Sequence, residues 1–193
     1  MCRALAAGEF ESMQGLVEIL ALPIAATRDA VKRAGTEGLP KCGVLVMSAG
    51  PETTRDCLDL RALLDAEGAR RLIGTRADLP LEDLRASHLA LIEDAERAMT
   101  ADLPRRAIVT DLSPHDALAT GLGNPLASEA YALNRDRIAV IQNTRPFLPD
   151  RIVPALHEHL AIIEALARRD AEAAVAAIEL HYRTTLRWWG ILI

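Results

Sequence analysis

The sequence predicts a mainly α protein in two parts: an N-terminal remnant of a winged helix-turn-helix and an antiparallel six-helix bundle. Three observations predict it. After Pro51, apolar residues recur at helical spacing in six blocks separated by Pro, Gly or Asp signals. Before residue 45 the pattern breaks into short elements. Half of the residues are hydrophobic while aromatics make up only 3 %, a composition suited to Leu/Ala-rich helices.

Leu16 to Leu22 is a short apolar helix stopped near Pro23, and Ala25 to Gly35 is a second, bearing Arg28, Lys32 and Arg33. Gly35 and Gly38 are its stop signals, and Cys42 to Met47 after Pro40 is a β-like run with Val44 and Val46. Two short helices followed by a strand suggest a helix-turn-helix with a wing. Gly50-Pro51 marks a boundary, because proline suits the first turn of a new helix. This divides the chain into residues 1–49 and 50–193. The six blocks are 51–73, 80–101, 104–121, 125–145, 150–168 and 171–189, and Asp170 is placed to cap the last.

Composition narrows function. No uncharged apolar run approaches the roughly 20 residues that span a bilayer, and residues 1–7 lack the apolar stretch of a signal peptide. Cys2, Cys42 and Cys57 are odd in number and without CxxC spacing, which suits a reducing compartment and points to the cytoplasm. The net charge is −5, but residues 1–45 balance five basic against five acidic side chains, so only this part is suited to face a polyanion.

Asp111 and His115 are four apart, a spacing that puts both on one helix face, among the apolar Ile108, Leu112 and Leu118. The stripe Ile152, Leu156, His159, Ile163, Leu166 turns His159 inward, whereas His157 falls on a line that ends in charge at Glu164. In the last block Ala174, Ile178, His181, Thr185 and Trp188 form another inward stripe. A lone buried imidazole is ordinarily a core residue with a satisfied hydrogen bond. Three of them with an acid, on three inner faces, would each need a partner, and one shared cation satisfies all. Imidazole and carboxylate donors suit zinc, nickel, iron or manganese. His88, on the Leu84, Leu91 stripe, is expected to be structural.

The run Asp111-Leu-Ser-Pro-His115, then Asn124, then Glu158-His159-Leu-Ala-Ile-Ile, then Asp170 and His181 resembles the FCD effector domain of GntR-type transcriptional regulators. Leu60-Arg61-Ala-Leu-Leu-Asp65 is similar to that family's Leu-Arg element, and the resemblance covers residues 52–190. Upstream, Gly8-Glu9-Phe10, Leu16-Val17-Glu18, Leu22 to Arg33 and Glu37-Gly38-Leu39 resemble the GntR winged helix from the end of its first helix onward.

The resemblance implies a ligand-responsive DNA-binding transcriptional regulator rather than an enzyme. It implies a divalent transition metal, zinc first, on Asp111, His115, His159 and His181, with open positions for a small carboxylate metabolite. Arg61 is a candidate to pair with that carboxylate, against an internal pair with Asp65; Asn124 is a candidate for a polar contact or a helix cap. Arg28 matches the family's recognition-helix arginine, so Arg28, Lys32 and Arg33 are the expected operator-DNA contacts, against a merely solvated basic face. A homodimer is expected because such operators are two-fold symmetric. The rival readings are a metal-dependent hydrolase-like bundle, for which no carboxylate beside the metal is evident, and a structural bundle without metal. The first helix and the wing are expected to be incomplete. Pro114 stands where a bulky apolar residue is usual: either it lies within a helix or Ser113 caps a new one, leaving Asp111 outside.

Overall fold

The structure, a computed structural model, describes residues 10–33, 37–39, 43–45, 49–144 and 149–191. The expected helix stop at Gly35, together with Cys2, Pro40, Cys42, Val46 and Met47, lies outside these residues, as do the side chains of Lys32 and Arg33.

The N-terminal part holds β1 (Phe10–Glu11), α1 (Met13–Leu20), α2 (Ile24–Arg33), β2 (Glu37–Leu39) and β3 (Gly43–Leu45). Ser12 caps α1 by accepting the Gly15 N–H at 2.9 Å, and Ala21 ends it in the left-handed region at φ 52°. Thr27 is buried in the first turn of α2, its hydroxyl donating back to the Pro23 carbonyl at 3.2 Å. The strands form one antiparallel sheet of order β1-β3-β2, with Leu45 opposite both Phe10 and Glu37. The helix pair and β3 follow the sequence pattern. β1 and β2 do not: neither Phe10–Glu11 nor Glu37–Leu39 lies in a β-like apolar run such as the one that holds β3.

The bundle comprises α3 (Pro51–Thr75), α4 (Leu81–Arg97), α5 (Leu103–Ala119), α6 (Pro125–Thr144), α7 (Pro149–Ala167) and α8 (Ala171–Trp188), with a 3₁₀ turn at Thr120–Leu122. Pro51 opens α3 behind Gly50, and α4 ends at Arg97, four residues short of the expected limit. Asp170 caps α8 by accepting the Ala173 N–H at 2.9 Å. Arg169 before it is left-handed at φ 55°, and the Arg169 and Asp170 N–H groups return to Leu166 and Ala165. This closes α7 so tightly that α8 runs straight back along it.

Apolar groups join the helices of the bundle. Leu84, Leu91, Leu103, Leu156 and Ile163 join α4, α5 and α7, while Leu72, Leu118, Ile162, Leu166 and Ile178 join α3, α5, α7 and α8. Each such side chain contributes about 1.5–3 kcal/mol by leaving water. Between α3 and α5 the approach is backbone to backbone. A Cβ on Gly68 would run into the Leu118 carbonyl, and one on Gly121 into the Gly68 carbonyl. Glycine at 68 thus lets α3 lie close enough to α5 for their polar side chains to meet one turn further up. Along the outside, α2 of the N-terminal part lies against α6.

Candidate metal centre

Proline 114 lies inside α5, not at the start of a new helix. The Thr110 carbonyl, which loses its usual donor because Pro114 has no N–H, accepts instead from the Ser113 hydroxyl at 2.8 Å. The helix therefore continues, and Asp111 and His115 share its inner face, 6 % and 1 % exposed. On α7, His159 is fully buried and His157 is exposed, as the stripe required. His181, on α8, is 3 % exposed.

One ligand nitrogen from each of His115, His159 and His181 lies within 4.8 Å of the others. Their outward nitrogens are all engaged. His115 Nδ1 donates to Asp65 Oδ2 at 2.7 Å, and His181 Nδ1 donates to Glu158 Oε2 at 2.7 Å. Behind His159 stands His88, whose Nδ1 lies 2.7 Å from the Leu84 carbonyl. A carbonyl can only accept, so that Nδ1 carries the proton and His88 Nε2 accepts from His159 Nδ1 at 3.2 Å.

Each of the three imidazoles thus turns a bare Nε2 lone pair toward the centre. His159 Nε2 and His181 Nε2 stand 3.3 Å apart with no proton between them, and His115 Nε2 is buried without a hydrogen-bond partner. Protonation is a poor remedy. Burial, reinforced by the neighbouring imidazoles and Arg61, holds His159 well below its ordinary range, and burial brings His181 down to about 4 despite the pull of Glu158. Neutral imidazoles aimed at one point, each oriented from behind, form a donor set that a divalent cation satisfies.

Asp111 is placed beside this set. Its Oδ1 lies 3.6 Å from His159 Nε2, while Oδ2 accepts from Gln142 at 2.8 Å and faces Arg61 Nη1 at 3.6 Å. Burial alone would raise its pKa, but Arg61 and the imidazoles outweigh that and keep it ionised below its usual range. Arg61, itself 5 % exposed, also reaches His181 Nε2 at 3.4 Å. Its partners are therefore Asp111 and His181, and Asp65 is committed to His115 instead. Asn124 is exposed and caps α6, accepting from the Leu126 N–H at 3.0 Å; its described hydrogen bonds include none to the histidines. In the N-terminal part, Arg28 is exposed on α2, and Lys32 and Arg33 follow on the same helix.

The residues that sequence reasoning missed are those behind the histidines. Glu158 points away from the His159 side of its own helix, yet it reaches across to His181 on α8 while Arg151 grips it through two bonds of 2.6 Å. Its pKa falls, burial being outweighed by Arg151 and His181. Asp65 and Gln142 lie on α3 and α6, remote in sequence from what they orient. Both carboxylates face the Nδ1 side of the imidazoles, so they steady the rings from behind and do not stand where a water-activating base would.

The fold is a helical bundle with a cluster of three inward histidines. The FCD domain family matches residues 56–184, two thirds of the chain, so the chain belongs to that family, the effector module of GntR-type transcriptional regulators, and stands with regulators rather than enzymes. The fold is shared with the solved structure of E. coli McbR/YncC, at a TM-score of 0.65 and 17 % identity over 95 % of this chain and 87 % of that one. A Listeria monocytogenes structure, described as Lar controlling expression of the agr system and mediating virulence, gives 0.60 at 11 % identity over 94 % and 86 %. Streptococcus agalactiae GntR gives 0.50 at 22 % identity over 94 % and 90 %. A comparison with curated proteins finds no match. Among the described residues, no helix is long and apolar enough to cross a membrane.

Proposed function

We propose that the chain is a ligand-responsive DNA-binding transcriptional regulator whose helical part, residues 50–193, binds a divalent metal and a small carboxylate effector. Residues 1–49 are then the DNA-binding part, with Arg28, Lys32 and Arg33 facing operator DNA in a homodimer. The observation that carries the metal reading is the convergence of three unprotonated Nε2 atoms whose Nδ1 atoms are held by Asp65, His88 and Glu158. Asp111 is the fourth ligand in this reading, supplying Oδ1. Zinc is the first choice for such a nitrogen-rich set, with nickel, iron or manganese as alternatives. When bound, the metal supplies a Lewis-acidic position to which a carboxylate can add.

The chain's own residues do the rest. Asp65, His88 and Glu158 fix ring orientation, and Gln142 steadies Asp111. The bundle couples to DNA through α3, which leads out of residue 49, and through α6, against which α2 lies. An effector that favours one arrangement of the bundle would bias the spacing of two DNA-binding parts.

The test is metal analysis of protein purified without a histidine tag, followed by thermal shifts with citrate, lactate, sugar acids and amino acids. Stoichiometric first-row metal, and stabilisation by a carboxylate only when metal is present, are the expected results. Protein that carries no such metal and takes none up on titration refutes the metal and effector reading. For DNA, Arg28→Ala should abolish retardation of operator DNA in a gel; unchanged retardation removes Arg28 from the interface.

A further inference from the structure

Resting on the metal reading above, we infer that Arg61 is an internal cation that competes with the metal for the same donors. Its guanidinium is the only side-chain cation among the described residues shown touching this cluster, and it touches two of the groups that would hold the ion. Nη2 meets the His181 Nε2 lone pair at 3.4 Å, and Nη1 stands 3.6 Å from Asp111 Oδ2. His181 cannot offer that lone pair to Arg61 and to a metal at once, since Nδ1 is already committed to Glu158.

The guanidinium is also poorly satisfied where it is. Nη1 is buried and makes no hydrogen bond, and the contact to Asp111 is longer than a charge-assisted bond prefers. Buried acceptors without partners lie on the neighbouring groups: Asp65 Oδ1 and Gln142 Oε1. A small cavity of about 10 Å³, lined by Arg61, Asp65, His181 and Tyr182, opens on the same side, with room for a single water. Arg61 thus has a half-made set of bonds that offsets the charge of Asp111 while no other cation is present. A dication on the histidines takes over that task, places like charge beside the guanidinium, and frees its fork of donors.

The opposite role for Arg61 is that of a scaffold which orders Asp111 for the metal. The two roles predict opposite signs. Zinc and nickel affinity would be measured by competition with a chromophoric chelator for the full chain and for Arg61→Met, which keeps bulk and removes charge. Competition predicts that Arg61→Met binds metal about tenfold tighter or more, the equivalent of one charge-assisted hydrogen bond no longer having to be broken. It also predicts a larger metal-induced rise in Tm, because Asp111 loses its offsetting charge only in the metal-free state.

Weaker metal binding by Arg61→Met, with the wild type binding normally, overturns the inference and leaves the metal site standing. Failure of the wild type to bind metal overturns both. If Arg61→Met does not fold without metal, Arg61→Lys serves in its place. It keeps the charge but loses the second donor arm, and tighter binding than wild type is expected; weaker binding overturns the inference.

Discussion

His115 and Asp65, fifty residues apart in the chain and on different helices, meet at 2.7 Å with both side chains almost wholly inaccessible. The bond exists because α3 and α5 touch backbone to backbone at Gly68 and Leu118. It holds the imidazole with Nε2 toward the other histidines. Replacing Asp65 by Ala should therefore weaken metal binding by about 10- to 100-fold without removing a ligand, the usual effect of losing the group behind a ligating histidine. Asp65→Asn, whose Oδ1 can still accept from Nδ1, should recover most of it. Titration with zinc or nickel against a chelator reads both, and equal affinity of Asp65→Ala and wild type would show that the bond does not organise the site.

The same close approach makes a prediction about stability. Gly68→Ala places a methyl group against the Leu118 carbonyl, and neither backbone can yield without shifting a helix. A loss of about 1–3 kcal/mol is expected from such overpacking. Urea denaturation of the metal-free protein measures it. Metal affinity should fall in parallel, since moving α3 outward moves Asp65 from His115; a variant as stable as wild type would contradict the packing described.

Within α5, Ser113 supplies the hydrogen bond that Pro114 cannot. Ser113→Ala leaves the Thr110 carbonyl without this donor and should cost about 0.5–1.5 kcal/mol. The loss should be greater than for Thr184→Ala, an exposed back-bonding hydroxyl on α8 whose Leu180 carbonyl acceptor keeps a backbone donor, the N–H of residue 184 itself. Equal effects in urea titrations would mean that the Ser113 bond does not repair the helix.

Acid should unfold the chelated protein through its histidines. The ordinary histidine value is 6.5, and burial lowers His181 in the folded state to about 4. The unfolded chain then binds the proton first as pH falls, so this stability is fully present above pH 6.5 and is lost progressively down to about pH 4. For His181 alone the difference is on the order of 3 kcal/mol, and His159 adds to it in the same direction. Thermal melts in chelator from pH 7.5 to 4.5 should show Tm falling below pH 6.5, and His181→Gln should flatten that slope. A Tm independent of pH across this window would mean that these imidazoles are not buried in their neutral form.

Much of this architecture is a local property of the chain. Six apolar stripes at helical spacing, divided by Pro, Gly and Asp170, determine six helices, because each stripe must find an apolar neighbour. The same stripes determine that Asp111, His115, His159 and His181 face inward while His157 does not, since a residue's face depends only on its position in the helical turn. Sequence also determines that His159 and His181 stand opposite one another, as they lie equally far before and after the turn that Asp170 caps.

Tertiary structure alone decided which groups stand around those four side chains. Glu158 comes from the next helix over, His88 from α4, Asp65 and Arg61 from α3, and Gln142 from α6. Their partners depend on how far each helix slides and how close it comes, and that is determined by packing contacts such as Gly68 against Leu118, which no periodicity records. Whether Pro114 would break α5 was likewise decided by context, through one hydroxyl placed to take the role of a missing N–H.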